Sequence, residues 1–466
     1  MKILRLASSM ALATVAALSF NAQAANVDAA SARMAANQFL KQHAASTVSF
    51  KAPAVSDIKL AHVEASSVEG NAYYVFNVQG GGWIIIAGDD RAKQVLAYGE
   101  QGSIDTNNMP ENMKGYLNRY KAQIEYLQNY HGVVLPLKAP KRIAPIGPLM
   151  TTQWAQGNPF YLQCQFNGQY CSVGCAGLAM AQILNYWEYP KEVDGLSGYM
   201  PSWSLNVPSL PATTFNYDLM RDHYTEFTES GSLVMLPDVT EEEKAEVAKL
   251  CRYASQSCQM NFSPNGSGSN VTKQYKGFLA MGYDSNAKLV GIEAWPTRET
   301  WNTTDYTDEE WVELINAQLE AKHPIPYSSE GFTDGHAFVI DGIDAEGLYH
   351  VNWGWYGRGD GWFQFGAFNV TVQGEYMEFN DALFMVIDLL PYPGYEPPTH
   401  EEPTSVRGDV DNSGEVDIAD VTALIDYLLS QNASGIDLEA ANCNQDDEVN
   451  IADVTALIDY LLAKSW

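Results

Sequence analysis

One cysteine stands apart from the other five. Cys175 opens the run Gly174-Cys175-Ala176-Gly177-Leu178-Ala179-Met180-Ala181-Gln182, which reads as a helix to Trp187 before Pro190 stops it. A thiol at a helix N-terminus sits in the positive end of the backbone dipole, which favours thiolate. The small neighbours leave room for a substrate to reach the sulfur. Such a nucleophile needs a base close in space rather than in sequence. Of the 8 histidines, His43, His62 and His131 lie in the N-terminal unit and His400 in a proline-rich stretch. His223 and His323 sit in polar, loop-like surroundings. His336 starts a strand flanked by glycines (Asp334-Gly335-His336-Ala337-Phe338-Val339-Ile340-Asp341-Gly342), so it can project from a strand end. His350 lies in Tyr349-His350-Val351-Asn352-Trp353-Gly354-Trp355 and reads as a satisfied strand histidine. Asn352 offers an amide that can hold an imidazole in one tautomer, and Trp353 an indole that shields that bond from water. Taken alone, the small-residue helix also fits plain core packing.

A second chemistry lies at the far end of the chain. Ile418–Leu429 (IADVTALIDYLL) recurs unchanged at Ile451–Leu462, an offset of 33 residues. The loop before the first copy carries Asp409, Asp411, Ser413, Glu415, Asp417 and Asp420, with Gly414 at the sixth position, where a calcium loop turns sharply. The second loop carries Asn442, Asn444, Asp446, Asn450 and Asp453, and Asp447 replaces the turn glycine. Asp tolerates a left-handed backbone better than most residues. Fewer carboxylates predict weaker calcium binding in this second loop. A merely acidic, solvated tail does not account for the repeat and the spacing together.

The surrounding chain must position these groups. At 466 residues it exceeds what one hydrophobic core organises, which predicts several modules. The formal charge of −30 disfavours nucleic acid or an anionic membrane surface as the main partner. It divides unevenly: residues 1–142 carry +4, residues 143–408 carry −22 and residues 409–466 carry −12. Lys2, Arg5, the apolar Met10–Phe20 and Ala22-Gln23-Ala24 predict a signal peptide over 1–24, hence a secreted or cell-surface protein. Helices over Ala29–Gln42 and Asn112–Tyr130, with a hairpin of Tyr73–Val78 and Trp83–Ala87, make a small α+β unit over 25–144. Its end, Leu135–Pro148, mixes prolines with Lys138, Lys141 and Arg142 and reads as an exposed, cleavable connector. An aromatic-rich domain over 145–390, with a helix at Glu241–Cys258, a Pro/acidic linker over 391–406 and the repeat module over 407–466 complete the chain. Six cysteines do not build a disulfide scaffold. Cys164 and Cys171 flank a Gly-containing loop at a spacing that permits a pair, whereas Cys251 and Cys258, about 10 Å apart on one helix face, are too distant.

A cysteine early, with a histidine and then Asn-Trp much later, is the chain order of papain-like enzymes. Residues 148–366 resemble the streptopain family of papain-like cysteine peptidases. The matches are Pro148–Gln156 (PLMTTQWAQ), Gly174–Gln182 followed by Tyr186-Trp187 and Tyr189-Pro190, Asn261–Ser269 (NFSPNGSGS), Gly335–Gly342, and Tyr349–Trp355 with Asp360-Gly361-Trp362-Phe363. Tyr73–Asp90 and Val95–Gly99 resemble that family's propeptide. The resemblance implies an α+β papain-like domain behind an inhibitory propeptide. It further implies Cys175 as nucleophile, His336 as general base and acid, Gln156 as an oxyanion-hole donor, and Asn352 with Trp353 as support for the imidazole. No cofactor is implied for catalysis. The chain departs from the family in Ala155, where a polar residue is common, and in having Cys164 and Cys171 near the nucleophile. The tail resembles a type I dockerin, which implies an EF-hand-like, structural calcium module that docks onto a cohesin-like partner. Protein or peptide substrates and the chain's own propeptide are the other implied partners. Two further readings use the same residues: a catalytically silent peptide-binding or surface-assembly protein, and an amidase or transferase working through the same thioester.

Overall fold

A computed structural model describes residues 26–44, 51–131, 134–136, 143–202, 205–228, 231–292, 306–331, 335–367, 370–372, 381–395, 398, 407–411, 416–430, 436–444, 446 and 449–463. The expected signal peptide (1–24), residues 137–142 of the connector, most of the 391–406 linker, and Ser413, Gly414, Glu415 and Asp447 lie outside the described residues.

The N-terminal unit is built as α1 (Ala29–Ala44), β1 (Ile58–Ala65), β2 (Asn71–Val78), β3 (Trp83–Ala87), β4 (Val95–Gly99) and α2 (Glu111–Asn129), with β5 (Val134–Pro136) in the connector. The two-residue period of a strand sorts its side chains onto two faces. Tyr74, Phe76, Ile84 and Ile86 pack under α1 beside Leu40. Their neighbours Tyr73, Val75, Trp83 and Ile85 face Leu117, Tyr120 and Ile124 of α2. A sheet covered on both sides reads as near-continuous apolar runs, as β2 and β3 do. The hairpin between them turns through Gly80, Gly81 and Gly82, all at positive φ.

The second unit begins with the small hairpin β6 (Gln165–Phe166) and β7 (Gln169–Tyr170), then α3 (Cys175–Trp187). Short ribbons follow: β8 (Glu192–Val193) pairs with β11 (Thr213–Thr214), β9 (Tyr199–Ser202) with β10 (Leu205–Val207), and β12 (Thr225–Phe227) with β13 (Leu233–Met235). Next come α4 (Glu241–Ser257), α5 (Val271–Ala280), β14 (Lys288–Ile292), α6 (Asp308–Glu320), β15 (Ile325–Gly331), β16 (Gly335–Ile343), β17 (Tyr349–Asn352), β18 (Gly361–Phe363), β19 (Val370–Val372) and β20 (Asp381–Ile387). Helix α3 is buried nearly all round, between α4 on one side and β16 on the other. A Cβ on Gly177 would lie 2.3 Å from Ser255 Oγ, so that glycine is what lets α3 and α4 approach.

The two units are not separate bodies. One 10-stranded sheet runs β1-β2-β3-β4-β18-β17-β16-β15-β20-β14, and its middle joint is the antiparallel pairing of β4 with β18. Tyr98 stands opposite Trp362 and Ala97 opposite Phe363. The ladder continues past the strand ends, with Gln364 N–H donating to Leu96 O (2.9 Å) and Lys93 N–H to Ala367 O (2.7 Å). Helix α2 lies across the joint, and its Tyr116 meets Phe338, Trp353 and Phe363 edge-on at 5.8–6.0 Å. The sequence suggested a small α+β unit over 25–144; its sheet is open at β4 and is completed by the second unit. The tail packs α7 (Ile418–Ser430) against α9 (Ile451–Ala463), with the short α8 (Leu438–Ala441) between them in sequence.

A buried carboxylate sits on the seam. Tyr98 Oη donates to Asp344 Oδ2 at 2.8 Å, while Asp344 Oδ1 accepts from Leu348 N–H at 2.7 Å. Burial pushes the Asp344 carboxyl up to about 6, against the pull of those donors, and the nearby Glu346 adds to the rise. An acid whose value is higher when folded stabilises the fold fully below its unfolded value, about 3.9, and loses that contribution as pH climbs through 6. Asp344→Asn keeps the shape and removes the charge. In urea unfolding of the Cys175→Ala protein, this change is expected to raise the midpoint at pH 7.5 and to make little difference at pH 4. A pH-independent difference would contradict the assignment.

Candidate active site

Cys175 is the first residue of α3 and follows Gly174, whose φ of +83° only glycine adopts comfortably. A Cβ there would also strike Met260 at 2.6 Å and Ser267 O at 3.1 Å. His336 is the second residue of β16, the strand against which α3 packs. Gln156 arrives on the segment that bridges Ala155 to Trp355, and its carbonyl accepts from Val173 N–H at 3.1 Å. Three separate pieces of chain therefore place Cys175, His336 and Gln156 around one open cleft of about 520 Å³.

The remaining walls include residues the motifs did not single out. Tyr161 and Tyr170, stacked at 5.0 Å, form one side. Pro264, Asn265, Gly266 and Ser267 form another, and Trp355 lies beside them. Trp355 carries a readable signal in hindsight. Gly354 at φ +69° turns the chain between two tryptophans, so that Trp353 is buried and Trp355 lines the cleft.

Asn352 and Trp353 lie in the layer behind the cleft rather than in its wall. Asn352 is 2% exposed; its Nδ2 donates to Thr152 O at 2.7 Å and its Oδ1 accepts from Gly354 N–H at 3.0 Å. Both ends of the amide thus tie β17 to neighbouring backbone. Trp353 donates from Nε1 to Gly359 O (3.0 Å) and packs 4.7 Å from Phe338, two residues after His336. His350 is held by Asp341, with Nδ1 and Oδ1 2.6 Å apart. Burial pulls the His350 imidazole down, but the Asp341 carboxylate outweighs it and the net shift is upward.

Opposing effects meet at the thiol. Burial pushes Cys175 above the usual cysteine value, although the Ala337 and Ala176 N–H groups pull the other way. Glu111 and Asn112 at the start of α2 line the same cleft. Asn112 Nδ2 donates to Trp353 O at 2.7 Å and to Ala337 O at 3.4 Å. One turn on, α2 passes over the imidazole so closely that a Cβ on Gly115 would lie 3.3 Å from His336 Cδ2. The other thiols are buried. Cys164 and Cys171 flank the β6–β7 hairpin with Cys171 N–H on Cys164 O at 2.8 Å, yet both are free thiols, and burial pushes Cys164 up to about 12. Cys251 and Cys258 are also free and buried.

Comparison with known proteins meets this geometry directly. Residues 154–363 match the model of the peptidase C10 family, residues 24–124 that of the Spi protease inhibitor and residues 407–462 that of the dockerin type I domain. The central domain is thus similar to the peptidase C10 family over its whole matched length. The chain is a cysteine peptidase that carries an inhibitor-like N-terminal region. Streptopain from Streptococcus pyogenes is 29% identical over 362 residues, covering 74% of this chain and 86% of that protein. The thiol protease/hemagglutinin PrtT of Porphyromonas gingivalis is 26% identical over 328 residues, 66% of this chain and 35% of that protein. A mutant prointerpain A fragment from Prevotella intermedia has a similar structure, with a TM-score of 0.55 at 27% identity, covering 71% of this chain and 97% of that one.

The tail's oxygen-rich loops repeat in three dimensions. Asp420 Oδ1 accepts from Asp411 N–H (3.1 Å) and Oδ2 from Asp417 N–H (2.7 Å). Thirty-three residues on, Asp453 Oδ1 accepts from Asn444 N–H (2.9 Å) and Oδ2 from Asn450 N–H (2.8 Å). Oxygens of Asp409, Asp411 and Asp420 converge within 4.8 Å of one another, a grouping that repels itself unless a cation is shared. In the second loop Asn442 Oδ1 is buried with no donor among the described residues, which leaves it able to serve as a cation ligand. Hard oxygen donors in this arrangement fit calcium.

The hold of α2 on the cleft gives a direct expectation. Asn112→Ala removes two hydrogen bonds to the peptidase backbone and weakens that hold by about 1–3 kcal/mol. Conversion of precursor to mature enzyme, followed by gel from a dilute start, is expected to begin roughly tenfold sooner. An unchanged lag would show that Asn112 does not carry the restraint.

Proposed function

We propose that this protein is an exported cysteine endopeptidase made as a zymogen, with Cys175 as nucleophile and His336 as its proton carrier. The observation that carries this reading is one cleft lined by Cys175, His336 and Gln156 and roofed by the first residues of α2. In the reaction, Cys175 Sγ attacks the peptide carbonyl as its proton passes to His336. The negative charge on oxygen is met by the Cys175 N–H and the Gln156 Nε2, each worth about 3 kcal/mol. Collapse expels the amine, which takes the proton from the imidazolium. Water, activated by the same imidazole, then hydrolyses the thioester. Asn352 and Trp353 hold the backbone behind the imidazole and fix where it can point.

In the precursor a peptide cannot reach the sulfur while α2 lies over the imidazole, so the N-terminal unit is read as the inhibitory propeptide and the basic connector as the first bond cut. The full-length Cys175→Ala protein is expected to stay uncut at the connector during incubation with a reductant, while the parent processes itself and then degrades casein. Continued self-processing of Cys175→Ala would remove Cys175 from the mechanism. A parent protein that labels with a thiol-directed peptide inhibitor yet leaves casein intact would favour the peptide-binding reading.

The tail is read as a structural calcium module that docks onto a cohesin-like partner. Asp409, Asp411, Ser413, Glu415, Asp417 and Asp420 would hold one ion, and Asn442, Asn444, Asp446, Asn450 and Asp453 a second, more weakly. Docking is supported by apolar groups left on the outside of both helices at matching positions. Ile418 and Leu429 are 69% and 80% exposed, and Ile451 and Leu462 are 70% and 81%. Such groups are uncommon on a free surface when they recur in register. Chelating calcium from the Cys175→Ala protein is expected to make residues 407–463 sensitive to chymotrypsin, which cuts at residues such as Tyr427 and Tyr460, with Asp409→Ala causing a larger loss of protection than Asn442→Ala. Equal protection with and without calcium would rule the ion out.

A further inference from the structure

The oxyanion role given to Gln156 leaves a question the cleft answers. A primary amide has two ends of similar size, and only its Nε2 end can donate to a developing oxyanion. Something must keep the Oε1 end turned away. Ser172 Oγ lies 2.9 Å from Gln156 Oε1 and donates its single proton there. The same Oγ accepts from Gly174 N–H at 3.2 Å, so one of its lone pairs is already committed.

Ser172 is itself fixed from three sides. Its N–H donates to Ser263 O at 3.2 Å, and its carbonyl accepts from Ser267 Oγ at 2.6 Å. The next residue, Val173, donates its N–H to Gln156 O at 3.1 Å. Both the main chain and the side chain of Gln156 are therefore tied to the three residues that lead into the nucleophile. Ser172 also stands in the wall of the cleft, with Gln156 and Cys175.

We propose that Ser172 is a positioning residue that sets which end of the Gln156 amide faces the substrate carbonyl. It acts by accepting no part of the reaction itself. By binding Oε1, it leaves Nε2 directed away from Ser172 and available as a donor, so the oxyanion site exists before substrate arrives. The inference rests on the oxyanion role proposed for Gln156.

The test is a double-mutant cycle on full-length proteins matured by immobilised parent enzyme, with competent sites counted by an irreversible thiol-directed inhibitor. Gln156→Ala is expected to lower kcat by about 100-fold or more, the usual cost of one oxyanion donor. Ser172→Ala is expected to lower kcat roughly tenfold with KM within about twofold, and Ser172→Thr, which keeps the hydroxyl, to recover most of it. In the Gln156→Ala background, Ser172→Ala should cost less than about twofold, because the amide it orients is gone. A tenfold loss in both backgrounds would assign Ser172 to the Gly174 turn alone and overturn the proposal. So would a large Gln156→Ala effect with no effect of Ser172→Ala. If Gln156→Ala itself leaves kcat unchanged, the oxyanion role falls and the proposal with it. Should Ser172→Ala fail to accumulate, Ser172→Gly carries the same comparison.

Discussion

The pairing of β4 with β18 is the contact on which the rest of the molecule hangs. A sheet edge is a row of unpaired donors and acceptors that seeks a partner strand. Here each unit supplies the other's missing neighbour, and the ladder runs from Lys93–Ala367 to Tyr98–Trp362. Once that register is set, little freedom remains for α2, which is already packed on β2 and β3. It must cross the peptidase strands, put Tyr116 among Phe338, Trp353 and Phe363, and bring Asn112 to the cleft. Coverage of the active site is thus a consequence of strand pairing some distance away. Gly115 is the complement of that geometry, because a Cβ there would press on the His336 ring at 3.3 Å.

Much of the chemistry was legible from residue types alone. The helix from Cys175 to Trp187 and the strand that begins one residue before His336 follow local rules of capping, period and spacing, and both appear where those rules put them; in the two oxygen-rich loops the described ends show matching bonds to Asp420 and Asp453. The expected helix of Glu241–Cys258 ends one residue earlier, at Ser257, which is within the fraying of a helix end. What sequence could not carry is anything decided between segments. The thiolate expected of Cys175 is a local inference, and the burial that opposes it depends on how other segments pack around the sulfur. The orientation of the Gln156 amide depends on Ser172, whose hydroxyl has no sequence signature of its own. The amide of Asn352, read as a support for an imidazole, spends its two ends on Thr152 and Gly354.

Charge tells a similar story about range. The excess of acid over base in residues 143–408, against the mildly basic N-terminal unit, is a long-range attraction that salt screens. At contact distance the units are joined by different means: the Tyr98 hydroxyl on Asp344, Lys93 Nζ on Gln364 Oε1 at 2.9 Å, and Ala367 N–H on Gln123 Oε1 at 2.7 Å. Net charge helps the units find each other, and directional bonds fix the register.

The shared sheet also decides what a cut in the connector accomplishes. Cleavage there breaks none of the bonds along β4 and β18. It converts an attached strand, held at an effective local concentration in the millimolar range, into a separate molecule at the concentration of the surrounding fluid. Under the proposed zymogen scheme, escape from the sheet would then be governed by dilution, and a crowded compartment would keep the enzyme quiet after the chain is severed. A peptidase that lost its partner strand would be left with an open ladder at β18, the edge of the same sheet that carries His336 two strands in.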